Sequence, residues 1–540
     1  MSHTPPLLRV ASLSIRYGTA EVVTDLSFDL YEGETLAIVG ESGSGKSTTA
    51  SAVLGLLPAG ASAIGSIRVD GEEVVGASEP TMRRLRRGIL SYVPQDPMSN
   101  LDPVHRVGNQ VMEVANAVRK LPRVAARTNA VTALQAAGLA NAEQRFRQYP
   151  HEMSGGMRQR ALIAMGMITS PRILVADEPT SALDVTVQKV ILDNLQSLIR
   201  ENRTAVILVT HDLGLAAERA DRVIVMSRGR VVEQGPSREV LLQPQKEYTR
   251  ALVAAAPANR AGAAAPIPDA TAPVVLSLDG ISKIYGAKGY GRLRTEAVHA
   301  VTDLSCEIRR GQTLAIVGES GSGKSTAASI ALRLIDPSSG RVTFDGKDIT
   351  TARRHGLTEF RRRVQPIFQD PYASLDPMMT VEHSITEPLR AFRVGDRSAR
   401  RKRARELVEL VGLPSTVLDR APSELSGGQR QRVAIARALA PEPDVIICDE
   451  PVSALDVLVQ ANVLDLLTRI QRELGVAYLF ISHDLGVVEQ IAHDVIVMAQ
   501  GAVVERGTTA DVFARPAHEY TEQLLNSIPG RSLLTTASGS

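Results

Sequence analysis

The amino-acid sequence predicts two tandem α/β domains, each built on a largely parallel sheet with helices on its faces and an added helical subdomain. Three observations carry this. Apolar runs of strand length alternate with longer helical stretches, the order that buries a parallel sheet between helical layers. A glycine-rich loop joins one such strand to a helix in each half. The pattern is also duplicated: landmarks of the second half follow those of the first by 278 residues at this loop, 274 at a later glutamine and 272 at three further positions. A fixed offset of this kind marks an internal repeat.

In order along the first half, residues 7–15 and 22–30 read as short strands. The apolar run 35–39 then leads into Gly40-Glu41-Ser42-Gly43-Ser44-Gly45-Lys46-Ser47-Thr48, and the run 313–317 leads into Gly318-Glu319-Ser320-Gly321-Ser322-Gly323-Lys324-Ser325-Thr326. A strand, GxxxxGK[ST] and a helix form a phosphate-binding loop. Glycines let the backbone curl so that its N–H groups face phosphate oxygens, and the following helix N-terminus favours negative charge. Lys46 and Lys324 would reach the β- and γ-phosphates, and the Ser47 and Ser325 hydroxyls would bind Mg²⁺. The chain is expected to bind nucleoside triphosphate twice.

A strand ending in Tyr92-Val93-Pro94-Gln95 follows, then an Arg/Ala/Glu/Leu-rich helical stretch to about residue 149. A further helix is expected to open after Ser154-Gly155-Gly156, where serine and glycine suit a helix start. Residues 173–176 and 205–209 read as buried parallel strands with a helix between them. Asp177 and Glu178 stand at the end of the first of these, and Asp449 and Glu450 after residues 445–448. A carboxylate at a strand's C-terminal edge beside a phosphate loop can hold Mg²⁺, and the adjacent glutamate can polarise an attacking water. His211 and His483 each follow an apolar strand and precede Asp-Leu-Gly, which makes them candidates to hydrogen-bond a γ-phosphate.

Composition narrows the classes. The chain has 540 residues and a formal net charge of +2, enough length for two cores and no global field drawing it to nucleic acid. Arginine-rich stretches at 83–87, 361–363 and 397–405 read as solvated helix faces. Cys306 and Cys448 lie in apolar strand-like segments and read as buried reduced thiols; no spacing suggests zinc or an iron–sulfur cluster. No apolar run approaches the about 20 residues that cross a bilayer, and the N-terminus lacks the pattern of a secretory signal. The protein is therefore expected to be soluble and cytoplasmic, meeting membranes only through partners. An Ala/Pro-rich, nearly uncharged stretch at 254–273 reads as a linker between domains at 1–253 and 274–540. The second half gains residues near Gly286–Arg294, a loop-like insertion after Tyr285.

Taken together, the phosphate loop, Gln95, Met153-Ser154-Gly155-Gly156-Met157, Asp177-Glu178, Ser181-Ala182-Leu183-Asp184 and His211 resemble the nucleotide-binding domain of ABC ATPases. The second half repeats the set with Gln369, Leu425-Ser426-Gly427-Gly428-Gln429, Asp449-Glu450, Ser453-Ala454-Leu455-Asp456 and His483. The resemblance implies a RecA-like core with a helical subdomain in each half, and the two halves paired head to tail within one chain with ATP at each seam. It implies phosphate and Mg²⁺ contacts from Gly40, Ser42, Gly43, Gly45, Lys46, Ser47, Thr48, Gln95 and Asp177. Their counterparts are Gly318, Ser320, Gly321, Gly323, Lys324, Ser325, Thr326, Gln369 and Asp449. Metal contacts are implied for Ser47, Gln95, Asp177, Ser325, Gln369 and Asp449, some through water. Catalysis would rest on Glu178, Glu450, His211 and His483. Ser154, Gly155 and Gly156 would serve the second loop's nucleotide, and Ser426, Gly427, Gly428 and Gln429 the first's. Tyr17 and Tyr285 match the position that stacks on adenine. Met157, where the commonest pattern has glutamine, and Val452, where the first half has Thr180, depart from the family pattern.

Within that family the chain looks like the fused two-domain ATPase subunit of dipeptide/oligopeptide importers. The features are Tyr92-Val93-Pro94-Gln95-Asp96-Pro97, the segment 369–377, and the repeated Glu247-Tyr248-Thr249 and Glu519-Tyr520-Thr521. This implies an ATPase acting with two transmembrane permease subunits and, indirectly, an extracytoplasmic solute-binding protein, at the cytoplasmic face of a bacterial inner membrane. Relatives of the type import nickel, glutathione or other solutes, which is the alternative substrate class. Some carry a cysteine cluster after the last motif; with no cysteine beyond Cys448, no iron–sulfur cluster is expected. A soluble ribosome- or DNA-acting ABC protein is the rival, disfavoured by the neutral linker and by the lack of zinc-type cysteines.

Overall fold

In this computed structural model, residues 5–180, 183–260, 269, 271–286, 297–453 and 455–530 are described. The first half opens with the hairpin β1 (Leu8–Tyr17) and β2 (Ala20–Leu30), followed by β3 (Thr35–Gly40), α1 (Lys46–Val53), β4 (Ala61–Val69), β5 (Glu72–Glu73), α2 (Glu79–Gly88) and β6 (Leu90–Val93). Helices α3 (Val107–Arg119), α4 (Arg123–Ala136) and α5 (Ala142–Arg145) form the insert. The chain returns through α6 (Gly155–Met167), β7 (Ile173–Asp177), α7 (Val185–Asn202), β8 (Ala205–Val209), α8 (Leu213–Arg219), β9 (Arg222–Ser227), β10 (Arg230–Pro236), α9 (Ser237–Leu242) and α10 (Glu247–Ala255).

Two sheets result, a four-stranded antiparallel one in the order β2-β1-β4-β5 and a six-stranded one in the order β10-β9-β3-β8-β7-β6. In the larger sheet β9, β3, β8, β7 and β6 run parallel, and only β10 is antiparallel. β7 and β8 are buried at every position, which is why their sequences read as unbroken apolar runs. Period-two geometry sends alternate side chains to opposite faces. Ile173, Val175 and Ile207 join Leu36, Ile38, Ala50 and Val53 in one core. Leu174, Ala176 and Leu208 pack on the other face with Ala161, Ile163, Ile191 and Leu195 of α6 and α7. At roughly 1.5–3 kcal/mol for each fully buried Leu or Ile side chain, both faces hold the strand ends rigidly.

The second half repeats the order: β11 (Val274–Tyr285), β12 (Val298–Arg309), β13 (Thr313–Val317), α11 (Lys324–Ala331), β14 (Ser339–Phe344), β15 (Lys347–Asp348), α12 (Thr358–Arg363) and β16 (Val364–Ile367). Helices α13 (Pro371–Ser374), α14 (Val381–Ala391) and α15 (Arg397–Leu410) make its insert. Then come α16 (Gly427–Leu439), β17 (Val445–Asp449), α17 (Val457–Leu474), β18 (Ala477–Ser482), α18 (Leu485–Ile491), β19 (Asp494–Ala499), β20 (Ala502–Thr508), α19 (Thr509–Ala514) and α20 (Glu519–Leu525). Here a single bridge, Thr302 to Ala502, joins what would be two sheets into one of ten strands.

Two compact units emerge, one of residues 1–259 with the chain end from Pro529, the other of residues 260–528. Helix α10 continues through Ala255, so the expected linker begins inside a helix; its residues 261–268 and 270 lie outside the described set, as do 287–294 of the expected insertion. Helices α6 and α16 start at Gly155 and Gly427, with the serine as N-cap. The expectation that they open after the second glycine is thus corrected: a glycine pair tolerates helical φ, and the serine hydroxyl supplies the cap. Cys448 is fully buried, but Cys306 is only partly so, packed against the second half's core. The three arginine stretches fall on α2, α12 and α15.

Candidate functional site

The site grows from the C-terminal edge of the parallel sheet. β3 ends at Gly40, where a Cβ would sit 2.1 Å from the Met226 carbonyl oxygen of the neighbouring strand; at Gly318 the clash would be 2.2 Å with Met498. Only glycine lets the chain leave the strand so close to the next one. The loop then turns through Ser42 and Gly43 to Gly45, the left-handed N-cap of α1, and through Ser320 and Gly321 to Gly323, that of α11. Thr48 and Thr326 sit in the first turns of these helices.

Lys46 is 6% exposed and Lys324 4%. Lys46 Nζ donates to the carbonyls of Gly40 and Glu41, both at 2.8 Å. Lys324 Nζ donates to Gly318 at 2.7 Å and Glu319 at 2.8 Å. A buried ammonium must keep its donors satisfied, so each lysine is folded back onto the loop that would present it to phosphate.

β7 delivers Asp177 to the same edge, where Ser47 Oγ donates to Asp177 Oδ1 at 3.1 Å; Ser325 Oγ makes the longer equivalent to Asp449 at 3.4 Å. Burial raises the carboxyl pKa of both aspartates. The adjacent glutamate raises it further, while the serine hydroxyl and the lysine charge lower it, and the net shift is upward.

The next residue turns sharply. Glu178 and Glu450 adopt left-handed φ of 44° and 48°, while their N–H groups still bond Val209 and Ile481 across the sheet at 2.9 and 3.0 Å. A non-glycine residue in this region costs about 1–3 kcal/mol and persists where the surroundings over-determine it. Here the surroundings hold both carboxylate oxygens. Glu178 Oε1 lies 3.1 Å from His211 Nδ1, and Oε2 accepts from Gln95 Nε2 at 2.7 Å. In the second half the distances are 3.1 Å to His483 and 2.9 Å to Gln369. Burial pushes the glutamate pKa up, but the hydrogen bond and charge of the histidine, with the lysine charge, outweigh it and hold both glutamates below the usual range. Each half therefore sets one carboxylate upward and its neighbour downward, the kind of division that separates acid–base roles.

The structure thus brings Lys46, Ser47, Gln95, Asp177, Glu178 and His211 together in one half, and Lys324, Ser325, Gln369, Asp449, Glu450 and His483 in the other. Other predicted residues stand on different elements. Tyr17 ends β1, half-buried; Tyr285 ends β11, 45% exposed, with Lys283 Nζ 5.4 Å from its ring centroid. Ser154 and Ser426 cap α6 and α16. Gly156 and Gly428 face Val187 and Val459, whose methyls would lie 2.7 and 2.4 Å from a Cβ, so helix packing alone demands glycine there. Ser181, Ala182 and Ala454 lie outside the described residues. Sequence reasoning missed the Gln95–Glu178 and Gln369–Glu450 bonds, because nothing local links residues more than 80 positions apart.

The family described as "ABC transporter" matches residues 23–181 and 301–453. The chain belongs to the ABC transporter family. A second family, "Oligopeptide/dipeptide transporter, C-terminal region", matches residues 232–279 and 504–532, the segments that hold α9, α10 and α20. A glutathione import ATP-binding protein of Pectobacterium atrosepticum is 43% identical over 94% of this chain and 86% of its own length. A peptidoglycan transport ATP-binding protein of Agrobacterium fabrum is 43% identical over 97% of this chain and 96% of its own. The glutathione import ATP-binding protein of Escherichia coli is also 43% identical, over 94% and 86%. As an ABC transporter ATP-binding chain with two cassettes, it is an ATPase. Among the described residues no helix is long and apolar enough to cross a membrane.

Proposed function

We propose that this ABC protein energises uptake of peptide-class solutes through two membrane permease subunits, using two ATP-hydrolysing centres. The observation that carries the reading is the duplicated cluster in which a left-handed glutamate is held by a histidine and a glutamine beside the Lys–Ser–Asp set. In it Glu178 and Glu450 are the general bases toward the attacking water. His211 and His483 orient them and meet the γ-phosphate. Lys46 and Lys324 exchange their loop carbonyls for phosphate oxygens, a substitution of one acceptor set for another.

Mg²⁺ fits the donors present. The Ser47 hydroxyl and Asp177 carboxylate, and Ser325 with Asp449, are adjacent hard oxygens, and Mg²⁺ takes one or two such protein ligands with the rest from phosphates and water. Bound there, it would neutralise charge on the β- and γ-phosphates; Gln95 and Gln369 would contact it through water. Tyr17 and Tyr285 would stack on adenine, and the loops at Ser154–Gly156 and Ser426–Gln429 would donate to γ-phosphate. The functional division would be domains at 1–253 and 274–540 about a linker at 254–273. Gln95 and Gln369 would report phosphate state to the inserts at about 96–153 and 370–425, which press on the permease helices.

The peptide class is supported by the C-terminal family match and by relatives named for glutathione and peptidoglycan transport. Glutathione, itself a tripeptide, is the specific second reading. The chain would act at the cytoplasmic face of a bacterial inner membrane, with an extracytoplasmic binding protein as an indirect partner. A tagged pull-down from detergent-solubilised membranes tests this. Recovery of two polytopic membrane proteins is expected; recovery of ribosomes or DNA instead would overturn the transport reading.

A further inference from the structure

The two serine–glycine helix starts share a closed turn, an arginine tie and a serine cap, and differ in one bond at that cap. In both, a short turn precedes the helix and is closed by a glutamate: Glu152 Oε2 accepts from Tyr149 N, and Glu424 Oε2 from Ala421 N, each at 2.8 Å. In both, an arginine ties the helix to that turn, Arg158 Nε to Pro150 O and Arg430 Nε to Pro422 O, each at 2.6 Å. In both, the serine hydroxyl accepts from the amide three residues on, at 3.4 Å from Met157 and 3.3 Å from Gln429. The difference is the return bond. Gln429 Oε1 accepts from Ser426 N at 3.0 Å and completes a reciprocal capping box. Methionine at 157 has no oxygen to offer, so the Ser154 amide has no such acceptor.

We infer that Gln429 is a positioning residue that locks the Ser426–Gly428 turn through this bond, and that Met157 leaves the Ser154–Gly156 turn unlocked. The inference rests on the proposed nucleotide role of these turns. A capping box satisfies two orphan donors at once and fixes the entry of the chain into the helix. Donors fixed before the reaction stabilise developing phosphate charge without reorganising, whereas donors that must be ordered on binding lose part of the gain. ATP facing the Ser154 turn therefore turns over more slowly than ATP facing the Ser426 turn. The inequality lies more in kcat than in capture, since the phosphate loops, which make most of the nucleotide contacts, are alike in both halves.

The test uses the full chain without nucleotide, followed by hydrogen–deuterium exchange resolved to single amides. The Ser426 amide is expected to exchange about 3–10-fold more slowly than Ser154, the range of one net hydrogen bond. Gln429→Met should abolish the difference, and Met157→Gln should confer it on Ser154. In steady-state ATPase assays Met157→Gln should raise kcat and Gln429→Met lower it, with a smaller change in KM for ATP than in kcat. Gln429→Glu, which can also close the box, should keep the Ser426 amide protected. Equal exchange at Ser154 and Ser426 in the parent chain would overturn the lock. Exchange that shifts as expected while kcat stays fixed would overturn its link to turnover. Failure of the nucleotide reading itself would show separately, as ATPase insensitive to Lys46→Ala and Lys324→Ala whatever the exchange rates.

Discussion

His483 Nδ1 lies 3.1 Å from Glu450 Oε1, and His211 keeps the same distance from Glu178. This pair sets the protonation of the base. Each glutamate is held below the ordinary carboxylate pKa although burial opposes it, with the histidine as the largest lowering influence. Replacing His211 and His483 with alanine removes that influence and lets the glutamate pKa rise. A base works only when deprotonated, so the acid limb of the ATPase pH profile is expected to move to higher pH. A profile of kcat/KM against pH for the double variant checks this; an unmoved limb would show that the histidines do not tune the glutamates. The stability consequence has a definite sign. A lowered carboxylate pKa contributes stability above its ordinary value of 4.5, lost as pH falls through the folded value, so the double variant gives up stability at neutral pH.

Asp177 and Asp449 carry the opposite sign. Burial raises their pKa, so the ionised form is disfavoured in the folded chain, a cost present at neutral pH and relieved as pH falls through the raised value. Asp177→Asn with Asp449→Asn is expected to raise the Tm of the nucleotide-free protein by about 1–3 °C at pH 7. The gain should shrink at acid pH, where the native aspartates protonate, and Mg-ATP should no longer add stability. Thermal unfolding with and without Mg-ATP measures both; a lower Tm at pH 7 would contradict the burial argument.

Gln95 Nε2 and Gln369 Nε2 hold the second glutamate oxygen at 2.7 and 2.9 Å. Gln95→Ala and Gln369→Ala together leave the base attached at one oxygen only. Because misplacing a base lowers rate more than binding, kcat is expected to fall about tenfold or more, with KM for ATP changed less than twofold. A fall in KM-governed binding at constant kcat would contradict the positioning role.

Gly428 packs where a Cβ would lie 2.4 Å from Val459 Cγ1. Gly428→Ala is expected to destabilise by about 1–3 kcal/mol through overpacking between α16 and α17. Adding Val459→Ala should restore most of that stability, because the obstructing methyl is gone. Denaturant unfolding of the single and double variants reads this. No recovery in the double variant would place the strain elsewhere.

Much of this was legible in the sequence where chemistry is local. The loop from Gly40 to Thr48, the strand-end pair Asp177–Glu178 and the histidine after β8 sit at fixed spacings beside apolar runs, so their elements followed from pattern alone. What was not legible depends on tertiary contact. Ser47 meets Asp177 and Gln95 meets Glu178 only because the sheet places β6 beside β7 and β7 one strand from β3, across β8. The left-handed turn at Glu178 has no sequence mark, since glutamate is not a residue that favours it. Met157 was visible as a departure, but its meaning waited on seeing Gln429 reach back to Ser426 N. The antiparallel strand β10 lies at a sheet edge, which hydropathy does not reveal.

The most direct measurement is ATP hydrolysis by the full chain carrying Glu178→Gln, Glu450→Gln or both. Each single variant is expected to lose a substantial part of the activity, and the double variant to fall at least about a hundredfold while still binding ATP, as read by equilibrium dialysis with labelled nucleotide. Undiminished hydrolysis in the double variant would contradict the assignment of these glutamates as the bases of two ATPase centres.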